Sequence, residues 1–494
     1  MSNDGDIGAP EYRLQFSRGS FRIGLDSALQ FVVVDGGWSF IALIFLEARI
    51  FCREAIEPAV DCPTGNSALT VCVVDRMVSN LYTPAGGLFL THVTWDDIQS
   101  ELQKALQTKA TFGENKNAVN LSFGKGFLSR ILLITPDWKN IDDGKNLPDS
   151  IVIKIASLMN YVEIMGQMQE IDQAAASIDN EQNDKMEQIC KEVHNIECSF
   201  YEFVKQNNLY TRWTPKITSL RSFDESHQIN GFIIMDYIES DDCSICDNIT
   251  FDELKQVLKA LVEYSIIGEK IDENTSKKFR SKLYSKMMEN MVHEDAKKMA
   301  VEGTRSFDSG SLSDIIDDYE HVYMEAMTLD KIKQFDSLFE NLEMKEVLIH
   351  GDLWSTNLMW KRNEGGHLQL KAIVDYQFAH FNSPALDITR LIISTMSGKD
   401  RRLHYDEIIK TYHDYIVEAF GEKPVPFTLD QLKEACDLAL PYAGIVITSM
   451  LQPAFAYFSS QKMEGKDKII ETMREKMRCL VEDVIFYFRK IKQI

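Results

Sequence analysis

The sequence predicts an α+β protein in which a small β-bearing region precedes a larger, mainly helical one. Three observations carry this. Short β-branched runs recur between Ala118 and Ile238. From residue 251 onward apolar residues return at helical spacing. One stretch between Val347 and Asp375 interrupts the helical pattern with short apolar segments that end in acidic residues.

In chain order, the first interpretable element begins near Thr94. Thr94-Trp-Asp-Asp97 has capping-box form, and Ile98, Leu102, Ala105 and Leu106 follow at helical spacing. Two strand-like runs come next, Ala118 to Phe123 and Phe127 to Thr135, with Gly124 and Gly126 between them as a hairpin turn. Ile151-Val-Ile-Lys-Ile155 reads as a third strand with one lysine inside it. An acidic helix is expected over about 181–206, then a buried strand over Gly231 to Ile238. Helices are expected around 251–267, 311–342, 402–420, 428–458 and 465–491.

A chain of 494 residues exceeds what one hydrophobic core usually serves, so two lobes plus an appendage are expected. The divisions are an extension of unknown role over 1–80, a β-containing lobe over 85–240 and a helical lobe over 241–494. Residues 1–80 carry no readable motif; an accessory segment, a loosely ordered extension and an incorrect gene model are equally open.

A formal charge of −22 argues against non-specific binding to nucleic acid or anionic membrane, since both need clustered Lys and Arg. The apolar run Trp38 to Leu46 is far short of the ~20 residues that span a bilayer, so no membrane insertion is expected. Asp4 and Asp6 stand where a secretory signal would be basic, which makes the cytoplasm the expected compartment. The nine cysteines follow no repeated spacing, and Cys243-x-x-Cys246 lacks a second pair or nearby His, so reduced, incidental thiols are expected. Protein partners and oligomeric state are not readable.

The chemistry concentrates in His350-Gly-Asp352 and Asn357. Phosphoryl transfer needs hard oxygen ligands for Mg²⁺, a cation on the phosphates and a group that orients the attacking hydroxyl. An Asp and an Asn five residues apart have the separation of base and metal ligand in kinase catalytic loops. Asp375 ends the apolar segment Ala372-Ile-Val-Asp375, as a second metal-binding acid would.

The string HGDLWSTNLMW, with IVDYQ and SPALDITRLI after it, resembles the choline/aminoglycoside kinase-like superfamily, and most of all its ecdysteroid-kinase-like (CHK-like) branch. The resemblance covers about residues 85–490 and implies a bilobal protein-kinase-like fold with ATP and Mg²⁺ as cofactors. It implies Asp352 as catalytic base, Asn357 and Asp375 as metal ligands, and Asp387 as an acid that supports the catalytic loop with His350. As an alternative, Asp387 caps a helix. Lys154 is implied as the phosphate-binding lysine, paired with Glu197 of Glu197-Cys-Ser-Phe-Tyr201 or, failing that, with Glu192. Gly124, Gly126 and Ser129 correspond to the nucleotide-covering turn, or are merely a turn. Asp236 and Ile238 correspond to the adenine-binding hinge, or belong to a plain buried strand.

Gly351 stands where a protein kinase has Arg, Tyr376-Gln377 follows Asp375 in place of Phe-Gly, and no Ala-Pro-Glu motif follows. A small-molecule hydroxyl is therefore expected in place of a peptide; the resemblance implies an ecdysteroid-like or other small alcohol as acceptor, with a choline-like amino alcohol less favoured. Trp354, Tyr442, Phe455 and Tyr457 are candidates to line its pocket. The competing reading is a catalytically idle kinase-like protein that binds nucleotide and serves as a platform.

Overall fold

The computed structural model describes residues 80–121, 128–163, 180–241, 243–280 and 282–492. Among the described residues the strands are β1 (Thr111–Phe112), β2 (Asn117–Asn120), β3 (Ser129–Thr135), β4 (Trp138–Lys139), β5 (Ile151–Ala156), β6 (Ile217–Arg221), β7 (Phe232–Asp236), β8 (Val347–Ile349), β9 (Leu358–Arg362), β10 (Leu368–Ile373) and β11 (His380–Asn382). The principal helices are α1 (Trp95–Leu106), α2 (Asn180–Gln206), α3 (Phe251–Gly268), α4 (Glu294–Arg305), α5 (Ile316–Ala326), α6 (Ala385–Thr395), α7 (Gly398–Phe420), α8 (Leu429–Ser460) and α9 (Lys466–Ile491).

The amino-terminal lobe is a five-stranded sheet of order β2-β3-β5-β7-β6, antiparallel at every pairing. Side chains alternate between its faces. Ile151, Ile153 and Ile155 point to one side, where they join Leu132, Ile134, Phe232 and Ile234 in a core covered by Ile98 and Leu102 of α1. Helix α1 starts as its sequence dictates, since Thr94 and Asp97 exchange both bonds of the capping box. The opposite face carries Lys154, Ala156, Ile233 and Met235, and α2 lies against it through Val193, Ile196, Phe200 and Val204.

Two expectations are corrected here. The strand β6, absent from the sequence reading, lies between α2 and β7; its ITSLR stretch is only partly buried and lacks the β-branched density of its neighbours. The expected helix over 311–342 is three pieces, Ile316–Ala326, Leu329–Phe335 and Leu338–Asn341, broken around Met327 and Ser337. The hairpin turn with Gly124 and Gly126 lies outside the described residues.

In the carboxy-terminal lobe α8 is the central element. It is long and apolar enough to cross a membrane, but 88% of its most apolar window is buried in the protein. Ile445, Ile447, Leu451 and Phe458 of α8 pack in one core with Leu480, Val484 and Phe488 of α9 and Ile388 and Ile392 of α6. The link between the lobes is tied down by its own acids. Asp241 N–H donates to the Trp360 carbonyl at 2.6 Å and its carboxylate accepts from Arg362 N–H at 2.7 Å, while Lys361 pairs with Glu239 at 2.8 Å.

Candidate active site

Lys154 leaves β5 on the α2 face and ends in a buried three-group cluster. Its Nζ lies 2.6 Å from Glu197 Oε2 and 2.6 Å from Asp375 Oδ1. Burial alone would lower the ammonium pKa, but the carboxylates of Asp375 and Glu197 outweigh it and hold the lysine above its ordinary value. Burial pushes the Glu197 carboxyl up, against the pull of Lys154. The fallback partner Glu192 instead meets Lys286 at 3.1 Å. The two glutamates are five residues apart, about 140° around a helix, so only one can face the sheet.

The loop after β8 is built around Asp387, which lies inside α6 and caps no helix end: the N-cap position is Pro384. Its two oxygens accept from the backbone N–H groups of His350 at 2.7 Å and Gly351 at 2.9 Å. Burial raises the Asp387 carboxyl, and the His350 ring and these N–H bonds pull against that rise. His350 Nε2 faces the Val374 carbonyl at 2.9 Å. A carbonyl only accepts, so Nε2 carries the proton and Nδ1 accepts from Asp352 N–H at 3.3 Å. Gly351 has φ +81°, and a Cβ there would come within 2.1 Å of the Phe378 carbonyl oxygen, so no other residue fits.

Asn357 Nδ2 donates to the Asp352 carbonyl at 2.8 Å, and the Asn357 carbonyl accepts from Val374 N–H at 3.0 Å. The loop and the segment bearing Asp375 are thereby joined one residue before that acid. Asp375 takes a left-handed conformation at φ 71°, ψ 62°, which turns the chain out of β10. Tyr376 then stacks on Phe200 of α2 at 4.0 Å, its hydroxyl bonded to Tyr264, and locks the Asp375 segment to the helix that carries Glu197.

Asp352 has a partner the sequence reading missed: Arg390 Nη2 sits 2.6 Å from its Oδ1. Arg390 falls in the quoted SPALDITRLI string, one helical turn (three residues) after Asp387, a spacing that places both on the face of α6 toward the loop. Beside the pair is a small recess lined by Gly351, Leu386, Arg390, Tyr442 and Val446. Of the aromatic candidates, Tyr442 lines it. Phe455 packs against Phe307, Tyr457 against Phe458, and Trp354 is buried in the core.

Ser129 opens β3 on the same face as Lys154, because Ile131 is the direct cross-strand partner of Lys154. Asp236 closes β7, and Ile238 follows it in the link between the lobes. Gly124 and Gly126 lie outside the described residues.

A five-stranded antiparallel lobe with a strand lysine paired to a helix glutamate, set over a helical lobe whose loop presents Asp352, Asn357 and Asp375, is a bilobal kinase-like fold. A family model, DUF1679, described as "Uncharacterized oxidoreductase dhs-27", matches residues 81–492, and the chain belongs to that family. It is 29% identical over 223 residues to "Uncharacterized kinase-like protein D1044.1" of Caenorhabditis elegans, a match that takes in 44% of this chain and 54% of that protein. The chain thus spans about half the length of this curated relative. Among solved structures it is similar to a choline kinase from Cryptosporidium parvum (13% identity, TM-score 0.40, 76% of this chain and 89% of that one). It is also similar to a Plasmodium vivax ethanolamine kinase (14%, TM-score 0.35, 74% and 82%).

Proposed function

We propose that the protein is an ATP- and Mg²⁺-dependent phosphotransferase acting on a hydroxyl of a small molecule. One observation carries the reading: residues 154, 197, 352, 357 and 375, scattered over 222 positions of sequence, are joined through the Lys154–Asp375 contact and the Asn357–Val374 bond around one cleft.

Each residue has a role that its surroundings support. Lys154 has three N–H groups, two of them on Glu197 and Asp375, which leaves the third for a phosphate oxygen. Asp375 and Asn357 offer hard oxygens for the metal. Counted at full charge, one ammonium and two carboxylates sum to −1, a balance suited to a cation. Among the described residues no three His, Cys, Asp or Glu side chains cluster as a metal cage, so the metal would depend on ligand oxygens and water as Mg²⁺ commonly does. When bound, Mg²⁺ supplies positive charge against the β- and γ-phosphate oxygens. Asp352 orients the acceptor hydroxyl and takes its proton as the new O–P bond forms; the bond from the γ-phosphorus to the bridging oxygen breaks, and ADP leaves. Gly124, Gly126 and Ser129 are assigned to the phosphate-covering turn, and the Asp236 carbonyl and Ile238 N–H to adenine.

The acceptor is proposed to be an ecdysteroid-like or other small alcohol, met in the cytoplasm, with no nucleic acid or membrane partner. The word oxidoreductase in the family description draws no support from the fold, because dinucleotide folds rest on parallel βαβ units and this sheet is antiparallel at every pairing. A second reading, an idle nucleotide-binding platform, is favoured by the ion pair that Arg390 places on Asp352.

Thermal unfolding with and without Mg²⁺–ATP tests the nucleotide site. Wild type is expected to gain stability by RT ln(1 + [L]/Kd), about 2.7 kcal/mol at a hundredfold excess over Kd, and Asp375→Asn to lose the gain. A folded wild type that shows no shift would sink the reading; a shift without transfer to any alcohol would promote the idle platform.

A further inference from the structure

Helix α6 grips the loop after β8 at two levels. Asp387 accepts from the backbone N–H groups of His350 and Gly351, and Arg390, three residues on, meets the side chain of Asp352. The helix is itself held. Ile388, Leu391 and Ile392 are buried in the core. At the far end the Ser394 carbonyl accepts from Lys476 Nζ of α9 at 3.1 Å, and the Thr395 carbonyl accepts from Ile249 N–H at 2.8 Å. Carbonyls of a last turn have no partner within their helix, so these bonds keep that end from fraying. The guanidinium is no solvated charge either: the Arg390 side chain is 20% exposed and its Nε is buried. Its contact falls on one carboxylate oxygen. Nη2 lies 2.6 Å from Asp352 Oδ1. Among the described residues Oδ2 has only the Asn357 amide nitrogen at 3.5 Å, and that nitrogen already donates to the Asp352 carbonyl at 2.8 Å.

An ion pair on a proposed base either silences it or aims it, and a contact on one oxygen alone points to the second. We propose that Arg390 is a positioning residue: it fixes the rotation of the Asp352 side chain by holding Oδ1 and leaves Oδ2 as the oxygen that receives the proton. The inference rests on the phosphotransferase reading and adds to it which oxygen acts and what orients it. A carboxylate free to turn about its side-chain bonds spreads over several rotamers. Fixing it beforehand removes that search from the barrier. In the step itself the acceptor hydroxyl gives its proton to Oδ2, and its oxygen forms the new bond to the γ-phosphorus. The bond from that phosphorus to the bridging oxygen breaks, and its electron pair leaves on ADP. Arg390 keeps its protons throughout.

Water serves as the acceptor in a test that needs no identified alcohol: Mg²⁺–ATP alone is turned over, its proton donor is water, and ADP and inorganic phosphate are measured. Arg390→Ala is expected to lower kcat by up to about a hundredfold, the scale of a misplaced reacting group, with KM for Mg²⁺–ATP unmoved, the mark of an interaction that acts in the transition state. N-ethylguanidinium, which replaces the deleted atoms, restores kcat to Arg390→Ala in a saturable way and leaves Asp352→Asn unrestored. A merely structural role lowers the thermal midpoint and gives no such rescue, so its absence overturns the proposal. An Arg390→Ala rate equal to or above wild type also overturns it, because the ion pair then silences the base. Should Arg390→Ala fail to fold, Arg390→Lys and Arg390→Gln decide: Lys retaining more kcat than Gln at equal KM supports the proposal, and equal losses overturn it. A wild type without turnover, its Mg²⁺–ATP thermal shift intact, overturns this proposal and spares the nucleotide site; loss of the shift itself is the failure of the underlying reading.

Discussion

The two sides of the cleft are built on opposite principles. On the proposed nucleotide side charged groups are buried and doubly tied: Lys154 holds two carboxylates, and Asp387 holds two backbone N–H groups. On the proposed acceptor side the lining is mostly apolar, with Arg390 its one charged side chain. Phosphate and metal chemistry demands particular residue types at particular places, whereas an acceptor pocket can be rebuilt from any side chains of suitable shape. The first side is therefore readable as motif and the second only as geometry.

Removing the proposed base should break the comparison most visibly. Asp352→Asn is expected to reduce kcat by about 10²–10⁴-fold, the range for a general base, while the Mg²⁺–ATP thermal shift persists. Single-turnover transfer measured beside thermal unfolding checks both halves, and a variant that loses the shift as well would show that the two sides are not separable.

Lys154→Met strikes the other side. It leaves the buried Glu197 and its neighbour Asp375 without their cation, which is expected to cost about 3–5 kcal/mol, measured as a fall in urea midpoint. Because burial already pushes the Glu197 carboxyl up, protonation relieves the variant, and its deficit should shrink toward acid pH. A deficit independent of pH would mean that the cluster is not an electrostatic unit.

The smallest effect sharpens the contrast from behind α2. His194 is buried, with Nε2 donating to the Arg221 carbonyl at 3.0 Å. Burial above all, with Lys154 adding and the Arg221 bond opposing, lowers its pKa from 6.5 to about 4. Above pH 6.5 the ring is neutral in both states and costs nothing; between 6.5 and 4 only the unfolded chain takes up the proton, so stability falls with pH across that window. The loss is expected to be at most about 3 kcal/mol, and His194→Gln should flatten the wild-type profile there.

Legibility followed the length scale of the interaction. The capping box at Thr94 closes within three residues and was read at the start of α1; the structure shows the same device at Thr250 and Thr428, where α3 and α8 begin. The spacing of Asp352 and Asn357 was readable because both serve one short loop, in which Asn357 bonds the Asp352 carbonyl. Strand β6 escaped notice because an edge strand, partly exposed on both faces, has little hydrophobic alternation to betray it. Arg390 escaped because an arginine in an amphipathic helix looks like any solvated charge until the carboxylate opposite it is known.

By itself the sequence determined the α+β division and the short loop that pairs Asp352 with Asn357, because propensity, capping and local spacing act over a few residues. Only the tertiary structure decided that Glu197 and not Glu192 meets Lys154, that Asp375 reaches that lysine from 221 residues away, and that Arg390 stands on Asp352. Those contacts exist because two lobes close on one another, and the direction a side chain takes across such a gap is set by helix rotation and strand register, which no local pattern encodes.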